Sequence, residues 1–171
     1  MAEKKLNPMR EIEIEKMVLN CGGIEDKLEK SVKLLQMITG KKIHKTNAKS
    51  RIPGFGISPG KAAGCKVTLR NKEEINSLLN RFLAALSKQI KGKGIRDNHV
   101  SFGIHEYIEI PGLEYKRDIG ILGFEVDIVF KRKGKRVKIK KIKMGKYPKK
   151  QDINKQEIID FLNKNFDVEV I

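Results

Sequence analysis

At 171 residues the chain is long enough for one well-buried domain and short for two. A formal net charge of +16 and an isoelectric point near 9.8 call for a polyanionic partner, nucleic acid before an anionic membrane. No apolar run approaches the ~18 residues of a bilayer span, and MAEKKLNPMR lacks a signal-peptide core, so the reading is a cytosolic protein with no membrane partner.

Residues 1–8 are polar, end at Pro8 and are expected to fray. From Arg10 to Leu19, charged and apolar residues alternate, which predicts a strand with Ile12 and Ile14 inward and Glu11, Glu13 and Glu15 outward. Asn20-Cys21-Gly22-Gly23 is expected to break it, with Asn20 capping or turning the chain. Glu25 to Ile38 reads as a helix with Leu28, Val32 and Leu35 on its apolar stripe and Gly40 at its end. Lys41 to Thr46 then reads as a second strand. Gly64 to Leu69 reads as a third, with Cys65, Val67 and Leu69 on one face and Lys66, Thr68 and Arg70 on the other. The two cysteines, Cys21 and Cys65, form no zinc signature and are expected as buried, reduced thiols.

Between those strands lies a long loop, residues 48–63, punctuated by Pro53, Gly54, Gly56, Pro59 and Gly60. It carries Lys49, Arg51, Lys61 and one aromatic, Phe55. From Lys30 to Lys72 there are eleven Lys or Arg and no Asp or Glu, a run that repels itself unless an anion lies against it. A stiffened cationic loop of this kind suits insertion into nucleic acid, although a basic Gly/Pro loop can also be a mobile surface loop.

Asn71 to Ile90 is the clearest helix. Asn71 and Glu74 suggest a capping box, and Ile75, Leu78, Leu79, Phe82, Leu83, Leu86 and Ile90 recur at helical spacing. Ser101 to Ile110 and Gly123 to Phe130 alternate as strands, the second with Phe124, Val126, Ile128 and Phe130 inward and Glu125 and Asp127 as an outward, solvated pair. Of residues 131–150, twelve are Lys or Arg and none is acidic, which predicts a basic ribbon ordered only against its partner. Asn154 and Glu157 open a last helix carrying Ile158, Ile159, Leu162 and Phe166, and DVEVI ends the chain as a strand-like tail.

The order of these pieces, with alternating strands, predicts an α+β fold of one domain over residues 1–171, an antiparallel sheet with helices on one face. No catalytic constellation appears. GFGISPGK is not a phosphate loop, because Phe55 and Ala62 stand where Gly and Ser/Thr are needed, and Pro59 spoils a dinucleotide fingerprint. His44, His99 and His105 have no metal-ligand spacing, so neither a metal nor another cofactor is expected. Composition leaves two readings open, an RNA-binding protein and a general DNA- or chromatin-binding protein, since phosphate contacts dominate both.

TNAKSRIPGFGISPGKAAGCKVTLR, with EIEKMVLNCGG before it and SFGIHEYIEIPGLEY after it, resembles the L-five family of large-subunit ribosomal proteins, called L-eleven in eukaryotes. The resemblance covers about residues 9–131, and the basic extension over 131–150 is similar to the archaeal branch. It implies a sheet like that of an RNA-recognition module and a structural role in the large subunit, attaching 5S ribosomal RNA at the central protuberance. It implies 5S RNA contacts from Asn20, Lys41, Phe55 and Thr68, with Lys66 and Arg70 on the same basic sheet face. The loop residues Lys49, Arg51, Pro53, Gly54, Gly56 and Lys61 would touch transfer RNA in the peptidyl site. Further implied partners are large-subunit ribosomal RNA, other 5S-binding ribosomal proteins and, near residues after Gly112, a bridge to the small-subunit S-thirteen family. The sheet lacks the paired aromatics of the RNA-recognition module, so stacking of bases on it is not implied.

Overall fold

The computed structural model describes residues 7–171. Most of the expected frayed tail therefore lies outside the described residues, while the Asn7 side chain accepts from the Met9 amide (3.0 Å) and caps a short turn, Pro8–Arg10. The first strand, β1, runs Ile12–Gly22, followed by helix α1 (Glu25–Thr39), β2 (His44–Asn47), β3 (Ala62–Leu69) and helix α2 (Lys72–Ala85). Two short strands, β4 (Gln89–Ile90) and β5 (Ile95–Arg96), lead to β6 (His99–Ile104) and β7 (Phe124–Arg132). Short helix α3 (Arg136–Ile139), helix α4 (Lys155–Phe166) and β8 (Glu169–Val170) close the chain.

Six strands form one antiparallel sheet in the order β2-β3-β1-β7-β6-β5, while β4 and β8 pair parallel in a separate ribbon. Strand alternation puts Leu19, Val67, Val126 and Ile128 on one face, where α1, α2 and α4 bury them. Edge-on aromatic pairs tie two of these helices to β7: Phe82 of α2 on Phe124 (5.4 Å) and Phe161 of α4 on Phe130 (5.5 Å). The α+β architecture with helices on one face is as expected. One core cluster runs through the sheet and all three of these helices.

Several boundaries differ, each for a local reason. A bulge between Ile14 and Lys16 rephases β1, so Ile14 and then Met17, Leu19 and Cys21 face the core, and the strand continues through Asn20 to Gly22 instead of breaking there. The second strand begins at His44, not Lys41. Helix α2 stops at Ala85 because Ser87 and Lys88 turn to positive φ (51° and 58°), which frees Ile90 to pair with Val170 in the ribbon. Its cap is simpler than a capping box: Asn71 Oδ1 accepts from the Glu73 amide (3.2 Å), and the Glu74 carboxylate is engaged by Lys41. Strand β6 ends at Ile104, and a 3-10 turn then buries Tyr107, whose hydroxyl accepts from the Lys116 amide (2.8 Å).

The basic stretch over 131–150 is not wholly unpacked. Arg132 is 5% exposed and its guanidinium donates to Glu157 of α4 (2.5 Å). Lys133 reaches Glu11 (2.5 Å) and Lys135 reaches Glu15 (2.6 Å), so the extension ion-pairs two of the three glutamates around the start of β1, Glu13 being held by Lys72 (3.2 Å). Beyond this anchor, Lys138, Lys140, Lys141 and Lys143 are exposed, with Ile142 at 77%. Glu157 does two jobs, because its other oxygen accepts from the Asn154 amide (3.1 Å) in a capping box that opens α4. Glu157→Ala is therefore expected to cost about 2–4 kcal/mol in urea unfolding, a buried guanidinium left unpaired plus a lost cap, discounted because Glu157 is half-exposed. A loss under about 1 kcal/mol would mean that water reaches Arg132 and solvates it.

Candidate nucleic-acid interface

The sheet's other face is largely open, and register determines what stands on it. One row crosses five strands as His44, Lys66, Asn20, Glu125 and Gly103, and the next holds Thr68, Val18, Asp127 and Ser101. Arg70, one step past β3, continues the parity of Lys66 and Thr68. The face is thus divided. Its β2–β3 half is cationic, and its β7 half carries two carboxylates. Neither acid is merely solvated: Glu125 accepts from Asn20 Nδ2 (3.3 Å) and Asp127 from the Ser101 hydroxyl (2.5 Å). Asn20 is a mid-strand residue beside Lys66, not a turn cap.

Asn20, Lys66, Thr68 and Arg70 are brought together on this face, but Lys41 is not. It lies in the turn after α1 and pairs with Glu74 in the first turn of α2. Phe55 is also apart, at the loop tip and 72% exposed.

The 48–63 loop is itself folded. Ala48 and Lys61 (2.9 Å), then Gly60 and Ala48 (2.9 Å), close its base, and Ile52 and Ile57 exchange two amide bonds near the tip. Between the isoleucines, Pro53–Phe55 makes a 3-10 turn that Gly56 ends at φ 63°, where a side chain would be strained. Phe55 and Ile57 share a depression with Gly23, Ile24 and Lys27, so the loop leans over the start of α1. Lys61 anchors it there on Glu25 (2.8 Å).

Three of the eleven cations from Lys30 to Lys72 are ion-paired among the described residues, Lys41, Lys61 and Lys72. Lys45, Lys49, Arg51, Lys66 and Arg70 are not, and they are among the charges left for phosphate. The hydrogen bond from Lys41 holds the Glu74 carboxyl below its ordinary range, and that from Lys61 does the same to Glu25. Both pairs are kept above the unfolded carboxyl range and released as pH falls through the lowered values, which adds two cations in acid. Cys21 and Cys65 face each other across β1 and β3 as buried free thiols. The neighbouring Cys65 thiol, then burial, pushes the Cys21 thiol up, and Cys21 Sγ donates to the Gly123 carbonyl (3.8 Å).

A basic open sheet face with a folded cationic loop beside it can bind a polyanion. The comparisons with known proteins identify the chain. A family model described as Ribosomal protein L5 matches residues 7–57, and a second, describing the C-terminus of the same ribosomal family, matches residues 62–167.

The chain belongs to the ribosomal protein L5 family.

Large ribosomal subunit protein uL5 of Nanoarchaeum equitans is 40% identical over 167 residues, covering 96% of this chain and 99% of that protein. The protein of the same name from Sulfurisphaera tokodaii is 40% identical over 176 aligned positions, covering 100% of this chain and 99% of its own length. That of Pyrobaculum aerophilum is 37% identical, with 97% and 94% covered. Ribosomal protein L5 is a structural family, not an enzyme family, and the relatives named are archaeal, as the basic extension suggests. Sequence reasoning missed the open-face carboxylates Glu125 and Asp127 as hydrogen-bond partners of Asn20 and Ser101. Their signal was their parity with Lys66 and Thr68, legible only once the strand order is known.

Proposed function

We propose that this protein is a structural constituent of the large ribosomal subunit, in the cytoplasm, that holds 5S ribosomal RNA on the open face of its sheet. Asn20, Lys66, Thr68 and Arg70 make the RNA contacts, with Lys41 and Phe55 reaching the same RNA from outside the face. The complex attaches to large-subunit ribosomal RNA at the central protuberance, beside other 5S-binding ribosomal proteins. The loop over 48–63 touches transfer RNA in the peptidyl site through Lys49, Arg51, Pro53, Gly54, Gly56 and Lys61. The region after Gly112 lies near a bridge to the small-subunit protein of the S-thirteen family. The whole chain acts as one folding unit.

The observation that carries this reading is the uncovered sheet face, on which Lys66 and Arg70 stand without a carboxylate partner among the described residues, in a chain of the ribosomal protein L5 family. Filter binding of the free protein to 5S RNA, against a DNA duplex of equal length, tests it.

The exposed lysines of the extension supply phosphate contacts in this reading. Neutralising Lys138, Lys140, Lys141 and Lys143 is expected to lower the slope of log affinity on log salt by about 3 to 4, somewhat less where the RNA is single-stranded. The thermal midpoint of the free protein should hardly move, because these side chains are exposed. A large fall in midpoint would mean that the segment packs inside the fold.

A further inference from the structure

Strands β1 and β6 each place a glycine on the open face, Gly22 and Gly103, where the fold has no need of one. Neither has a positive φ, and a Cβ built on either meets nothing within 4 Å. Glycine inside a strand weakens it by roughly 0.5–1 kcal/mol relative to alanine, and its remaining use is to let something approach the backbone closely. Gly123 differs. An added Cβ there would lie 2.4 and 2.5 Å from the carbonyl oxygens of His105 and Ile104, so the approach of β7 to β6 itself demands glycine. The three line an open concavity of about 450 Å³ at one end of the sheet, with Asn20, Glu125 and His105 also on its wall. Its size falls in the range of small-ligand sites.

Glu125 determines what such a site can take. On a face that receives RNA, a carboxylate repels phosphate, so the backbone cannot run across it. An ionised carboxylate only accepts hydrogen bonds and takes two parallel donors best. Among the bases, guanine presents two adjacent donors, N1–H and the N2 amino group, on the Watson–Crick edge that RNA-binding proteins read in unpaired nucleotides. Cytosine and adenine put a ring acceptor beside their single amino group, and that acceptor would face the carboxylate. Asn20 holds Glu125 in place through Nδ2 at 3.3 Å, and Lys66, next to Asn20 in register, stands ready for the phosphate of the same nucleotide.

We propose that this concavity is a base-reading subsite that takes one unpaired guanine of the bound RNA, its ring over Gly22 and Gly103 and its donor edge on Glu125. The proposal rests on the RNA-binding reading above and adds to it a base, a floor and a discriminating side chain. It requires no aromatic platform on the sheet.

A glyoxal reagent that adds to N1 and N2 of unpaired guanines tests it on the full chain bound to 5S ribosomal RNA. At saturating protein, the native chain is expected to shield at least one guanine. Glu125→Gln and Gly103→Val should each restore its reactivity and weaken the complex by about 5- to 100-fold, the span of one bidentate base contact. Gly103→Val fills the space over the floor while its Cβ touches nothing, so the fold should hold. Lys66→Ala should lower affinity yet leave the guanine shielded at saturation. A native complex whose guanines react alike in both variants overturns the subsite and leaves the RNA-binding reading intact. Exposure in Gly103→Val but not in Glu125→Gln overturns Glu125 as the group that holds the donor edge. Failure of the native chain to form a selective complex overturns the reading and the subsite together.

Discussion

The free protein is expected to bind 5S ribosomal RNA about 10³-fold tighter than a DNA duplex of equal length at physiological salt, the low end of specific over non-specific binding. The cations alone would not produce this ratio, because phosphate contacts carry no sequence information and act on both polymers. Discrimination comes from the shape and the acids of the open face. A broad sheet does not enter a major groove about 12 Å wide as a helix or two-stranded ribbon does. A duplex laid across it would also set phosphates against Glu125 and Asp127, which share the face with Lys66 and Thr68. Folded RNA can turn unpaired bases and 2′-hydroxyls toward those carboxylates instead. Equal affinity for both would return the chain to the general DNA- or chromatin-binding reading.

Loop shortening is expected to separate two functions. Replacing Ile52 to Gly60 with a tight glycine-containing turn should leave 5S binding within about threefold, less than about 1 kcal/mol. The same change should weaken retention of transfer RNA in the peptidyl site of reconstituted ribosomes. Asn20→Ala or Thr68→Ala should do the reverse, costing about 1–3 kcal/mol in 5S binding for a polar contact left unmet. The geometry supports the split. Asn20 and Thr68 sit within the sheet, while the tip is a separate turn braced by the Ile52–Ile57 pair and tied through Lys61 to Glu25. Lys49 and Arg51, with no carboxylate partner among the described residues, stand in the same loop as Phe55. The lean over α1 shortens the reach of the tip, so a modest loss at Phe55 is included in the threefold allowance. If the deletion abolishes 5S binding and spares transfer RNA, the loop belongs to the RNA-anchoring surface.

Elements whose cause is local were legible from residue order. Helix α2 follows from apolar residues at three- and four-residue steps, β7 from strict alternation, the start of α4 from Asn154 and Glu157, and the end of α1 from Gly40 at φ 64°. The uncompensated charge that points to a polyanion is also a property of the chain alone. Pairing between distant segments is not. Alternation in β1 suggested one phase, and the bulge after Ile14 changed it, because register is set by the partner strand β7. The parallel ribbon joins Gln89 and Ile90 to Glu169 and Val170, two dipeptides at opposite ends of the C-terminal half, too little pattern to detect. Arg132 and Lys41 looked like free cations until Glu157 and Glu74 were brought to them from other elements. Gly22, Asn20, Gly103 and Glu125 come from three separate strands. That they surround one hollow was decided by strand order, since each sequence fragment records only which face a residue takes and not which neighbours share it.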